Sequence, residues 1–339
     1  MSKIDKDTDF FAYVDNFAKY QHVESVRLYG QHKAVPPKVS ITIPTYRRPE
    51  LLKEAVESAI NQDGYEDYEI IIVDNDTTGE FAAQIIEMLK SFASDKVVYY
   101  RNQENIGMFG NWNRCIELAT GEWMTILNDD DVVSVTYLYK MMFVLQSFSS
   151  DVARLECLHK VFGNDGIRFN NIEHNSLFNK LLQNIAVCFQ TRMKILKIFK
   201  LNFIRYLLGN RSLCMHANLF KVSNAKNIGG FNSDFFPFAD FCFNSNYHYQ
   251  YSNCYQLREI LVGYRWAVNE SLNPKTITKQ IVGFSIFGRY LINLNRSLLL
   301  SIFFYRVSLR NFFCYRYTNK KKFSVIFEKL YAVLTKIIY

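Results

Sequence analysis

The sequence predicts an α/β fold built on a mostly parallel, doubly wound sheet, and three observations predict it. From Lys38 onward, short apolar runs of strand character alternate with segments of helical periodicity. The second of those runs, YEIIIVD (68–74), is apolar through its middle, as strands covered on both faces are. Polar loops follow four successive strands, PTYRR, DNDTT, NQENIG and DDD, and in such sheets ligands gather at the carboxyl ends of the strands.

Residues 1–36 read as a short helical extension that stops at Pro36-Pro37. KVSITIP (38–44) is the first strand of the regular pattern, and Pro49 then opens a helix with Leu52, Val56 and Ile60 on one face. After YEIIIVD come a helix over about 80–90, a strand KVVYY (96–100), a helix over about 109–119 and a strand EWMTILN (122–128). A further helix over about 135–146 follows the aspartates. One α/β domain over 37–280 accounts for this pattern, with a helical insert at about 151–213. The insert holds RMKILKIFKLNFIRYLLGNR (192–211), basic residues between Ile, Leu and Phe at helical spacing. A basic amphipathic helical tail takes up 281–339, where Phe287, Leu291, Leu294, Leu298, Ile302, Tyr305 and Leu309 recur at steps of three or four.

Composition sets limits. At 339 residues, 49% hydrophobic and 21% charged, the chain has ample material for a folded core. The net charge of +8 belongs to the tail: residues 284–339 carry ten Lys and Arg against one acid, Glu328, so the remainder is close to neutral. The seven cysteines are scattered, without a C-x-x-C pair or a histidine at zinc spacing, and read as free thiols. The start, MSKIDKDTDF, is not a secretory signal, and no apolar run approaches the roughly 20 residues of a membrane span. A cytoplasmic protein without a transmembrane helix is expected. The tail either packs on the domain as an ordinary amphipathic helix or lies on an anionic inner leaflet, which makes the expected location peripheral at the inner face of the plasma membrane. Basic and aromatic residues together also suit RNA, yet no RNP-like, KH or zinc-knuckle pattern is present, and nucleic acid is not expected as a partner.

The chemistry-bearing residues sit on the rim loops. Asp129, Asp130 and Asp131 have two readings: a helix N-cap with an acidic first turn, or a site for Mg2+ or Mn2+ that keeps positions open for a diphosphate. Asp74 ends a buried strand, either as a turn and helix cap or as an acceptor for a base or ribose group. Arg47 and Arg48 precede a helix N-terminus, where cations are electrostatically misplaced, and suit a phosphate or nucleobase instead. Neither G-x-x-x-x-G-K-[ST] nor G-x-G-x-x-G follows the first strand, which argues against a P-loop or a dinucleotide site. Farther on, Asp240 stands among aromatics in NIGGFNSDFFPFADFCF (227–243), a setting that raises a carboxylate pKa toward that of a general base; capping a short helix is its plainer role.

VSITIPTYRRPELLKEAVESAINQ, YEIIIVDND, NIGMFGNWNRCIELATGEWMTILNDDD and IGGF…FADFCF, in that order, resemble the inverting nucleotide-sugar glycosyltransferases of family 2, which have the GT-A fold. The resemblance covers about 38–271 and implies that Asp129 contacts sugar or ribose and Asp131 the metal, with Asp130 in support. It implies too that Thr45, Arg47 and Asp74 line the nucleoside pocket, that Asn105, Gly107 and Asn111 shape its floor, and that Asp240 is the catalytic base. LVGYRWAVNESLN (261–273) is similar to the family's closing segment, in which Arg265 is typed for bidentate contact with the diphosphate. Two departures stand out. The family's acidic pair has Ala239 as its first member here, leaving Asp240 with Asp234 as the fallback, and the closing loop offers Asn269, Glu270 and Ser271 where a histidine is usual. The expected function is metal-dependent transfer of a sugar from a nucleoside-diphosphate sugar to a hydroxyl of a lipid-linked glycan in surface polysaccharide synthesis. The alternative is a non-catalytic nucleotide-sugar-binding or scaffold protein.

Overall fold

Ile70 and Ile72 of one strand point to one side of the sheet and Ile71 and Val73 to the other, and that alternation divides the core in two. The strands are β2 (Val39–Thr45) and β3 (Tyr68–Asp74), buried at every position and paired in parallel. β4 (Val97–Asn102) lies parallel to β3, and β5 (Trp123–Ile126) parallel to β2. Helices α1 (Pro49–Ile60) and α2 (Ala82–Phe92) cover the first side through Leu52, Val56, Ile85 and Leu89. On the second side α3 (Gly107–Leu118) packs through Phe109, Trp112 and Ile116. This computed structural model describes residues 4, 7–148, 151–163, 198–203, 215, 218–266 and 273–295.

The other half extends the same sheet with mixed pairing. β9 (Asn218–Lys221) runs antiparallel between β5 and β7 (Arg154–Phe162). β10 (Cys254–Arg265) is parallel to β7 and antiparallel to β6 (Val132–Val133) and β8 (Ile198–Leu201). α4 (Tyr137–Gln146) joins the first side, while α6 (Ala239–Gln250) and α7 (Pro274–Asn295) join the second; the short α5 (Val222–Asn227) follows β9. No described helix is long and apolar enough to cross a membrane.

Three sequence expectations need correction. The first 36 residues are not a helical extension: among those described, a 3-10 turn (Ala18–Tyr20) leads into β1 (Ser25–Tyr29), antiparallel to β4. Arg114 of α3 fixes this segment by donating from Nη2 to the carbonyls of Tyr20 and Val23, which ties it to the sheet where a free helix would have nothing to cap. The span 151–213 is not a helical insert at its described parts, since β7 and β8 are strands of the main sheet; basic residues alternating with Ile, Phe and Leu satisfy a strand period as well as a helical one over so short a run. The tail's helix begins at Pro274 instead of 281, and Phe287 and Leu291 are buried in the domain core. Leu298, Ile302, Tyr305 and Leu309, with most of the basic residues of the tail, lie outside the described residues.

Candidate active site

Parallel register sets Thr45 beside Asp74 and Asp74 beside Arg101, so the strand ends form one rim. Against that rim lies a cavity of about 510 Å³, within the range of small-molecule sites. Thr45, Asn105, Gly107 and Asn111 line it, and so do Asp129, Asp130 and Asp240. Arg47, Asp74, Asp131 and Arg265 are turned elsewhere.

Asp74 is 1% exposed; one carboxylate oxygen accepts the Asp76 N–H at 2.8 Å and the other the Tyr99 hydroxyl at 2.8 Å. Burial holds its carboxyl above the usual range, against the pull of those two donors. Asp76 in turn accepts Nε of Arg47 at 2.8 Å. Burial works upward on the Asp76 carboxyl too, but the bonds from Arg47 and Thr78 outweigh it and hold it below the ordinary value. Arg47 itself has φ of 55°, a left-handed turn that is unusual outside glycine, and its side chain leans over the Tyr46 ring. The pair Asp74 and Arg47 therefore builds the back of the rim.

The next residue, Asn75, lines the cavity. Its Nδ2 donates to Asn105 at 2.7 Å, while its Oδ1 accepts Nδ2 of Asn102 and the N–H of Ile106, each at 3.1 Å. Asn102 also donates to Asn111 at 2.8 Å, and Asn111 to the carbonyl of Val73 at 2.8 Å. Four asparagines thus form a satisfied amide network under the cavity floor. Gly107, at φ of 73°, starts α3 beside it. The sequence expectations include neither Asn75, the first residue past β3, nor Asn102, the last residue of β4, although an amide at the carboxyl end of a buried strand is a signal for both.

The acidic triplet divides its labour. Asp129 is 7% exposed, accepts the Thr45 hydroxyl at 2.8 Å, and has its carboxyl pushed up to about 7 by burial, with Arg48 opposing and the charge of Asp130 adding to the rise. Arg48 Nη1 stands 3.5 Å from Asp129 and 3.4 Å from Asp130, and this arginine lines the cavity where Arg47 does not. Asp131 is fully buried; Oδ1 accepts the N–H of Arg265 at 2.8 Å and Oδ2 accepts Asn128 Nδ2 at 2.9 Å. These contacts make it a tie between loops, and it is not among the residues that line the cavity. Arg265 is held by neighbouring groups as well: Nε donates to the carbonyl of Asp130 at 2.9 Å, Nη2 pairs with Glu54, and the guanidinium lies 4.5 Å from the Phe162 ring centroid. Its charge is spent inside the protein, leaving Arg48 as the cation of the wall.

Among the described residues no three His, Cys, Asp or Glu side chains come together around a cation. Two carboxylates on an open wall nevertheless fit a hard divalent ion, whose remaining ligands are water and substrate phosphate, better than they fit a soft or caged one.

Asp240 is half-buried at the start of α6, with Oδ1 accepting the Phe241 N–H at 2.8 Å. Phe236 and Pro237, which line the cavity beside it, bring the chain in through a cis peptide bond. Ala239 is 1% exposed in the aromatic core, where a carboxylate would be buried among phenyl rings. Asp234, the fallback, is at the surface in an ion pair with Lys19 at 2.8 Å.

Comparison with known proteins bears on this arrangement. The family model described as Glycosyl transferase family 2 matches residues 40–212, slightly more than half of the 339-residue chain. A β-1,3-glucosyltransferase of Campylobacter jejuni, named for its acceptor GalNAc(5)-diNAcBac-PP-undecaprenol, is 36% identical over 96 residues, 28% of this chain; the match spans only 30% of that protein's own length. A mannosyltransferase of Pyrobaculum calidifontis, solved in complex with GDP-Man and Mn2+, superposes with a TM-score of 0.54 over 95% of this chain and 85% of its own, at 14% identity. Residues 1–349 of S. aureus TarS, solved with UDP, give 0.52 over 78% and 75%, at 16% identity. At those identities the two structures speak to the fold, which is of the same GT-A kind.

Proposed function

The chain belongs to glycosyl transferase family 2, and from that membership we propose that it transfers a sugar from a nucleoside-diphosphate sugar to a hydroxyl of a glycan acceptor, inverting the anomeric carbon. The supporting observation is one cavity that carries Asp129, Asp130 and Arg48 on the strand rim and Asp240 on a separate element facing it. Diphosphate chemistry needs the first group and hydroxyl activation needs the second.

Thr45 and the network of Asn75, Asn102, Asn105 and Asn111 shape the nucleoside end. Asp129 and Asp130 would hold Mg2+ or Mn2+, which when bound supplies positive charge against the leaving diphosphate. Arg48 adds a cation on the same wall. At the other end Asp240 accepts the proton of the acceptor hydroxyl while that oxygen bonds to the anomeric carbon; the bond from carbon to the diphosphate oxygen breaks with its electron pair on the nucleoside diphosphate. Attack from the face opposite the leaving group inverts the centre, and no covalent enzyme intermediate is needed.

A lipid-linked acceptor in surface polysaccharide synthesis suits both the Campylobacter relative's name and the ten basic residues between 284 and 339, which would hold the protein on an anionic membrane surface. Sedimentation with anionic vesicles before and after removal of residues 296–339 tests that location; equal sedimentation rejects it.

The decisive assay of the activity uses purified protein, Mn2+ and a panel of UDP-, dTDP-, GDP- and CDP-sugars, scoring donor binding and nucleoside diphosphate release. At least one donor should bind and turn over, and Asp129→Asn should abolish the turnover. If no donor binds, the transfer reading is wrong.

A further inference from the structure

Thr276 and Gln280 line the cavity from helix α7, an element that no motif in the sequence marks as part of the site. One stripe of that helix has two jobs. Its first turns present Thr276 and Gln280 to the cavity, and farther along the same face Phe287 and Leu291 are fully buried. Phe287 packs 5.5 Å from Phe241 and 4.9 Å from Phe10, centroid to centroid. Between them Gly283 lets the helix touch Phe238 so closely that an added Cβ would stand 1.8 Å from the ring. Phe238 immediately precedes the helix that carries Asp240. The position of α7 is thus fixed to the element that holds the proposed base.

The chemistry of this wall differs from that of the rim. Phe236, Pro237, Thr276 and Gln280 line the same cavity as Asp240, bringing apolar faces and neutral groups able both to donate and to accept hydrogen bonds. Lys279 of α7 sits 5.7 Å from the Phe236 ring centroid and is not part of the cavity lining. Sugar hydroxyls donate and accept, and the C–H faces of a pyranose pack on aromatic rings; a phosphate only accepts and is matched by Arg or Lys.

We propose that α7 is the acceptor-reading element of the site, with Thr276 and Gln280 hydrogen-bonding the hydroxyls of an uncharged sugar residue whose face lies against Phe236. This rests on the transfer reading above and adds the acceptor's chemical class and the residues that select it.

The test measures nucleoside diphosphate release from a donor that the parent protein turns over, alone and with octyl β-glucoside, octyl β-galactoside or octyl N-acetyl-β-glucosaminide. At least one octyl glycoside should accelerate release by the parent. Thr276→Val and Gln280→Ala should need about tenfold more glycoside than the parent for half-maximal rate, a larger loss than any change in their donor Kd, as loss of a hydrogen bond to the acceptor predicts. Thr276→Ser, which keeps the hydroxyl, should stay near the parent. Unchanged glycoside dependence in both variants, a parallel loss of donor binding, or a parent accelerated by none of the three glycosides overturns the proposal. Failure of the transfer reading looks different, since no nucleotide-sugar would then bind the parent at all.

Discussion

The carboxylate of Asp131 accepts the backbone N–H of Arg265 at 2.8 Å, joining the acidic loop after β5 to the last residue of β10. Its neighbours Asp129 and Asp130 face the cavity. Replacing Asp131 by Ala leaves a buried N–H without its acceptor, and urea unfolding should show a loss of about 2 kcal/mol. Asp129→Asn removes a carboxylate that burial disfavours, so its unfolding midpoint should match or exceed the parent's while turnover disappears. The reverse pattern would return the metal role to Asp131.

Arg48 and Arg265 separate in the same way. Arg48 stands on the cavity wall beside Asp129 and Asp130, whereas Arg265 is held by Glu54 and the Asp130 carbonyl. Calorimetric titration with the nucleoside diphosphate of the active donor should give a Kd weakened about tenfold or more for Arg48→Ala, as expected for a lost charge-assisted contact. Arg265→Ala should act mainly on the thermal midpoint.

Gly229 has φ of 82°, its carbonyl accepts Nδ2 of Asn16 at 2.9 Å, and an added Cβ would lie 2.0 Å from the carbonyl oxygen of Val14. Gly229→Ala should therefore destabilise by about 2 to 4 kcal/mol, strain and steric clash combined. Thermal unfolding measures it. The donor Kd of the folded fraction should be unchanged, because this turn fastens the N-terminal segment and does not touch the cavity.

His248 is buried, with Nε2 at 2.9 Å from Glu156, whose carboxylate also pairs with Arg154 at 3.0 Å. Burial lowers its pKa, with Glu156 opposing that shift and Arg154 reinforcing it. The unfolded chain takes up a proton below about pH 6.5 that the folded chain resists, so stability is complete above that pH and falls as pH drops through it toward the depressed folded value. Between pH 6.5 and 5.5 the parent should lose up to about 1 kcal/mol relative to His248→Gln in urea unfolding, since the unfolded histidine is already half protonated at the start of that interval. Parallel pH profiles for the two proteins would remove His248 from the account.

The parallel half of the sheet was legible because Ile-rich runs and Pro49 leave little choice of element, and the rim loops followed from the strand ends. The second half was not, because a strand such as Ile198–Leu201, IFKL, is too short for its period to oppose a helical reading. Within the site, positions in a loop could be read but side-chain directions could not: Arg47 and Arg48 are equivalent as letters, and the left-handed turn at Arg47 decides which one faces the cavity. The same holds for Asp74 and Asn75, and for Asp129 and Asp131. Thr276 and Gln280 come to the cavity through tertiary packing of α7, which no local pattern encodes.

The most direct test of the account is the rate of nucleoside diphosphate release by Asp240→Asn against the parent, with donor binding measured on the same samples. Asp240 is the carboxylate on the wall facing the rim, and loss of a general base costs on the order of 100-fold to 10,000-fold in rate. The account predicts that Asp240→Asn binds the donor as the parent does and releases nucleoside diphosphate at least about 100-fold more slowly. Release at the parent's rate, with binding intact, would contradict it.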